Sequence, residues 1–128
     1  MLKHVIHTPN APQPIGPYSQ AIAYNGLVYI SGQIPMHPDT GVIPDTIAEQ
    51  TGQALDNLIA IIHAADATVA DVIKNTIYIK DMDDFETINR IYSTYFSEPY
   101  PARAVVEVAR LPKDVGIEIE SIVSHAHS

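Results

Sequence analysis

Apolar residues recur along this chain with two periods, and the switches between them mark out its elements. Lys3–His7 is a short strand candidate that stops at Thr8-Pro9. Residues 9–17 hold four prolines and one glycine and read as a semi-rigid connection. Gln20–Tyr24 and Leu27–Ile34 are β-prone, and Asn25-Gly26 between them predicts a two-residue hairpin turn, because a type I′ turn needs positive φ twice. A second proline- and glycine-containing loop spans Pro35–Pro44.

From Thr46 the period lengthens. Thr46-Ile-Ala-Glu49 is a capping box, and the helix behind it runs to about Ala65, with Ile47, Ala54, Leu58, Ile61 and Ile62 on one face. Thr68-Val-Ala-Asp71 predicts another cap, on a single short turn. Val72–Lys80 is β-branched and almost continuously apolar, as a central strand is. Asp83-Asp-Phe-Glu86 puts acidic side chains at the positive end of a second helix. Phe85, Ile88, Tyr92 and Phe96 form its core stripe, and Pro99 and Pro101 stop it. Val105–Val108 and Ile117–Val123 are the last strands, and the tail Ser124–Ser128 is polar and expected to fray.

Helix followed by strand occurs twice, which hints at an internal duplication. Two helices against one sheet predict an α+β sandwich in two layers. The helices cover one face only. The other face carries many apolar residues, and oligomerisation through it is the natural remedy.

The bulk numbers narrow the classes of function. A chain of 128 residues is read as one domain, 1–128. Hydrophobic content of 46% and charged content of 17% fit a folded, soluble chain. A formal charge of -8 opposes binding to a phosphate backbone, although one arginine can still hold a small anion locally. The absence of cysteine removes disulfides, thiolate catalysis and thiolate metal sites. Met1–Pro9 lacks the apolar core of a secretory signal, and no apolar run approaches a membrane span, so the cytoplasm is the expected location.

Charges placed inside strands are the candidate chemistry. Arg103 opens the run that continues through Glu107, and Glu118 interrupts the last strand. A buried charge is costly without a partner or ligand. Neighbouring strands would bring Arg103 and Glu118 side by side, and two readings stand. One is a structural ion pair within an interface. In the other, the guanidinium fork grips a carboxylate while Glu118 activates water, which points to metal-free hydrolysis of a small carboxylate-bearing electrophile. Period-two alternation puts Glu107 on the face of Arg103 and Glu120 on that of Glu118; either could be the true partner in the site, but the reading preferred for both is a solvated or interface carboxylate. The six histidines form no ligand cluster with carboxylates, so no metal is expected, beyond adventitious capture by His125 and His127. Tyr18, where a rigid loop meets a strand, reads first as packing. Ser31-Gly32 inside a strand signals a bulge or close backbone approach to a ligand. Asn89 interrupts the stripe of the second helix, as a surface amide or one aimed into a polar pocket.

Ile15-Gly-Pro-Tyr-Ser-Gln-Ala21, Ser31-Gly-Gln-Ile-Pro35, Asp81-Met-Asp-Asp-Phe85, Pro101-Ala-Arg-Ala104, Glu107-Val-Ala-Arg-Leu-Pro112 and Ile117-Glu-Ile-Glu120 together resemble the Rid family, the reactive intermediate deaminases, also called the YjgF family. The resemblance covers essentially the whole chain, and Pro-Ala-Arg followed by Ile-Glu-Ile is its specific signature. It implies a chorismate-mutase-like α+β fold: one mixed sheet of about six strands with two helices on one face. It also implies a homotrimer whose sheets line a central barrel, with active sites at the subunit clefts. The implied reaction is hydrolysis of 2-imino acids, released by pyridoxal-phosphate-dependent dehydratases, to 2-oxo acids and ammonia, without a cofactor. By resemblance Arg103 grips the substrate carboxylate, Glu118 activates water, Tyr18 contributes a hydroxyl, Ser31 and Gly32 line the pocket, and Asn89 lies close to it. Many relatives carry a cysteine where this chain has Val105, so only the backbone of Val105 can contribute there. The competing readings are a non-catalytic trimer that binds small carboxylates or acts as a chaperone, and an endoribonuclease.

Overall fold

The computed structural model describes residues 2–125. The end of the polar tail, with His127, lies outside the described residues. The chain runs β1 (His4–Ile6), β2 (Ala21–Tyr24), β3 (Leu27–Gln33), α1 (Ile47–Ala64), β4 (Val72–Ile79), α2 (Phe85–Tyr92), β5 (Ala102–Glu107) and β6 (Ile117–Ser124), with single 3-10 turns at Val69–Asp71, Met82–Asp84 and Pro112–Asp114. The sheet order is β1-β2-β3-β6-β4-β5. β4 and β5 are parallel, as strands joined across a helix are, and the other pairs are antiparallel. This is the expected mixed six-stranded α+β arrangement.

The local signals explain most of these elements. Asn25 and Gly26 take φ of 52° and 80°, the two positive angles of the hairpin turn. The Thr46 hydroxyl accepts the Glu49 N–H at 3.2 Å and donates to the Glu49 carboxylate at 2.9 Å, closing the first turn of α1. Asp71 reaches back to the Thr68 N–H at 2.9 Å. The apolar stripe of α1 buries Ala54, Leu55, Leu58, Ile61 and Ile62 against β3 and β6. Each such Leu or Ile contributes about 1.5–3 kcal/mol by leaving water.

Two boundaries differ by more than two residues from those the sequence predicts. α2 ends at Tyr92 rather than continuing through Phe96. There the Ser93 and Thr94 hydroxyls donate to the carbonyls of Arg90 and Ile91, three residues back, and the chain tightens into a non-helical turn. Phe96 remains in the core, its ring 4.6 Å from that of Tyr92. β5 starts at Ala102 rather than Val105, because pairing with β4 (Lys74↔Ala102, Asn75↔Arg103) overrides weak local propensity.

Loop positions are fixed by buried amides. Gln20 accepts the Thr8 N–H at 2.8 Å and donates to the carbonyls of Thr8, Ala11 and Pro12, which orders the proline-rich connection. Asn57 on α1 donates to the carbonyls of Ile34 and Met36 at 3.0 Å and ties down the second loop. Among the described residues, no helix is long and apolar enough to cross a membrane.

The alternation of β6 decides which side chains meet the helices. Ile117, Ile119, Ser121 and Val123 are buried beneath them, whereas Glu118, Glu120 and Ile122 point to the open face. On β4, Asn75, Ile77 and Ile79 point inward. Their partners on β5 are Arg103, Val105 and Glu107, which therefore share the helix face.

Candidate active site

Arg103 sits on the edge strand, at the end of a groove of about 350 Å³ lined also by Asn89, Tyr92, Ser93, Tyr100 and Pro101. Its Nη1 donates to Asn89 Oδ1 at 2.8 Å. Its guanidinium lies 4.9 Å from the centroid of the Tyr92 ring and 5.6 Å from that of Phe85, within cation–π range. Among the described residues no carboxylate pairs with it. The cation is thus aimed and supported, yet its charge is left available to an anion. Asn89 is the pocket amide of the two readings the sequence leaves open. Val105, one step along the same face, packs against the core.

Glu118 lies elsewhere. β5 and β6 are not neighbours, as a side-by-side pairing requires, because β4 runs between them. Glu118 also pairs in register with Tyr78, on the open face. Its side chain lies over Gly32: a Cβ built there would stand 1.9 Å from Glu118 Oε2 and 2.8 Å from the carboxyl carbon. Gly32 also falls in the register irregularity between Ile30 and Gln33, so bulge and close approach coincide, and what approaches is Glu118. Burial, and secondarily the Glu120 charge, push the Glu118 carboxyl above its ordinary range. Glu120 itself accepts the Tyr78 hydroxyl. Glu107 is not the partner of Arg103; it accepts the Met82 N–H at 2.8 Å and fixes the turn before α2.

Tyr18 and Gly32 line one small pocket, together with Ile15, Gln20 and Lys113. Half of the Tyr18 surface is exposed. The Ser31 hydroxyl donates to the Ser19 carbonyl at 2.6 Å, and the Ser31 N–H to the Gln20 carbonyl at 2.9 Å, which holds the Tyr18 segment against β3. The predicted residues therefore form two groups. Arg103, Asn89 and Val105 belong to the helix side; Tyr18, Ser31, Gly32 and Glu118 belong to the opposite side. Within the described residues, no three His, Asp or Glu side chains are placed to hold a metal ion.

Two site residues escape the sequence reading. Tyr92 reads as core, yet it also lines the groove under Arg103; its position three residues beyond Asn89 was the available signal. Lys113 carries a left-handed φ of 56° beside Asp114 at 58°. Nothing in Pro112-Lys113-Asp114 announces that geometry.

The family described as endoribonuclease L-PSP matches residues 8–125. A RutC family protein of Pyrococcus horikoshii is 55% identical over 122 residues, covering 94% of this chain and 97% of that protein. The 2-iminobutanoate/2-iminopropanoate deaminase of Escherichia coli is 48% identical over 124 residues, covering 94% and 97%. Among solved structures, E. coli TdcF with bound serine superposes with a TM-score of 0.91 at 47% identity, covering 94% of this chain and 98% of that one. A putative endoribonuclease of Thermotoga maritima gives a TM-score of 0.93 at 44% identity, covering 96% and 98%.

Proposed function

This chain belongs to the Rid family, which contains the 2-iminobutanoate/2-iminopropanoate deaminases it resembles, and from that premise we propose that it hydrolyses 2-imino acids to 2-oxo acids and ammonia. The observation that carries the proposal is Arg103: an arginine held by Asn89 and Tyr92 at a groove, with no carboxylate partner among the described residues. Its guanidinium retains N–H donors for a substrate carboxylate.

Each active site takes Arg103 from one subunit and Glu118 from its neighbour, since one sheet holds them on opposite faces. A ring of three copies supplies this arrangement. The exposed Tyr24, Tyr29 and Val106 support burial of more surface than one copy covers. A mass in solution near three times 14.0 kDa is expected from light scattering.

The chemistry follows from the two groups. Arg103 fixes the carboxylate and so the orientation of C2. Glu118, ionised, takes a proton from water as the water oxygen bonds to C2 and the C=N electrons move to nitrogen. That proton passes to nitrogen to give a carbinolamine; Glu118 then takes the hydroxyl proton as the carbonyl forms and hands it to nitrogen, so the C–N bond breaks with ammonia as the leaving group. The sum is imine plus water giving ketone plus ammonia, with no change of redox state. A partly desolvated carboxylate with a raised pKa is a stronger base than an exposed one. Tyr18 and Ser31 border the water side. At a net charge of -8 a small monocarboxylate suits the groove better than a polyanion.

The test couples a threonine dehydratase to this protein and follows the appearance of 2-oxobutanoate. Acceleration over buffer is expected, together with its loss in Arg103→Ala. Imine decay no faster than in buffer overturns the enzyme reading and leaves a carboxylate-binding protein.

A further inference from the structure

We infer that Asn75 is a positioning residue for the anion grip, acting through the Tyr92 ring on which Arg103 lies; this rests on the carboxylate-binding reading of Arg103. Asn75 is completely buried in β4, on the inward face it shares with Ile77 and Ile79. Asparagine is disfavoured both in strands and in apolar cores, where an unsatisfied amide is costly. Here it is satisfied on both sides. Ser121 on β6 donates its hydroxyl to Asn75 Oδ1, and Asn75 Nδ2 donates to the Tyr92 hydroxyl at 2.9 Å.

The register gives this bridge its direction. Asn75 pairs with Ser121 on one side and with Arg103 on the other, so the three form a row across the sheet on the helix face. Tyr92 descends from α2 onto that row, one end held by Asn75 and its ring face presented to Arg103. Burial pushes the Tyr92 phenol above its ordinary range, which keeps a neutral hydroxyl in the bridge. A tyrosine held only by packing is free to tilt. One pinned at its hydroxyl presents a fixed plane, and Asn89 from the same helix then fixes the guanidinium within it. An apolar residue at position 75 alone would strand the buried Ser121 and Tyr92 hydroxyls, whereas a wholly apolar row would need none of the three polar groups, so the network serves orientation.

The test titrates 2-oxobutanoate, the product carboxylate, into the assembled protein by calorimetry, and measures KM and kcat in the coupled assay. Asn75→Leu removes both bonds; Tyr92→Phe keeps the ring and removes only the pin. Each is expected to weaken binding roughly five- to tenfold, the scale of a misplaced cation–π contact, with the loss in KM rather than kcat. A purely structural network lowers melting temperature and leaves these constants unchanged. If Asn75→Leu does not fold, Tyr92→Phe decides alone. Wild-type affinity in Tyr92→Phe, with binding lost in Arg103→Ala, overturns this inference and spares the carboxylate reading. Wild-type affinity in Arg103→Ala overturns both.

Discussion

Arg103 and Glu118 stand on opposite faces of one sheet, with the whole of β4 between their strands. Period two makes this unavoidable: Arg103 pairs with Asn75 and Glu118 with Tyr78, an odd number of residues apart on β4. No rotamer takes a guanidinium lying on Tyr92 through the sheet to Gly32. A site that uses both residues is a site between copies.

That geometry predicts complementation. Arg103→Ala and Glu118→Gln are each expected to be nearly inactive. Unfolded together in equal amounts and refolded, they form mixed rings in which some clefts receive an intact arginine from one variant and an intact glutamate from the other. Random mixing restores about a quarter of wild-type activity in a cyclic trimer. Activity that stays at the level of the separate variants places the site within one chain.

Gly32 predicts a second outcome. Its φ does not require glycine, so alanine is compatible with the backbone, but the new methyl occupies the space of the Glu118 carboxylate. The flexible end of Glu118 swings away while the strand stays. Gly32→Ala is expected to keep the wild-type circular dichroism spectrum and to lose about 10- to 100-fold in kcat, part of what a positioned general base supplies. Unchanged kcat would mean that the position of Glu118 over Gly32 is irrelevant to the chemistry.

Much of this molecule was legible in the sequence because its signals are local. The Asn25-Gly26 turn, the Thr46 cap and the stripe of α1 each depend on residues a few positions apart. So did the face-sharing of Arg103 with Glu107 and of Glu118 with Glu120. Strand order is a long-range property, and nothing near Arg103 or Glu118 tells that β4 inserts between them. The same limit hid Tyr92, whose core periodicity is real but does not reveal that its outer face meets an arginine from another element. Lys113 escaped because its left-handed backbone is imposed by the turn that closes onto β6, not by its own residue type.

The raised carboxyl of Glu118 predicts linked effects of pH on activity and stability. If Glu118 is the proposed base it must be ionised, so kcat is expected to fall on its acidic side at a pH above the ordinary glutamate range. Glu120→Gln removes a repelling charge and shifts that limb to lower pH. The sign for stability is opposite. A carboxyl whose pKa is raised by folding contributes stability below its unfolded value and loses it as pH rises through the folded one. Glu118→Gln is therefore expected to be more resistant to urea than wild type at neutral pH, with the difference vanishing in acid. A variant equally stable at both pH values would show that Glu118 is not desolvated in the native assembly.

Gln20 predicts how the Tyr18 side of the cleft is held. Its one buried amide makes four hydrogen bonds to the backbone of Thr8, Ala11 and Pro12. Prolines supply no N–H, so residues 9–17 have few backbone donors with which to hold themselves, and the amide substitutes for a ladder. Gln20→Leu fills the same volume but removes the partner of the Thr8 N–H and of the Pro12 carbonyl, while Gln13 still donates to the carbonyls of Thr8 and Ala11. A loss of about 2–3 kcal/mol in urea denaturation is expected from those unsatisfied groups. The functional effect is separable from it. Tyr18 lies two residues from Gln20, at the end of the connection that the amide orders. KM is expected to rise even at temperatures where the variant is fully folded, while the Arg103 groove, anchored from α2 and β5, keeps its affinity for 2-oxobutanoate. A fall in that affinity equal to the rise in KM would show that the two sides of the cleft are not anchored independently.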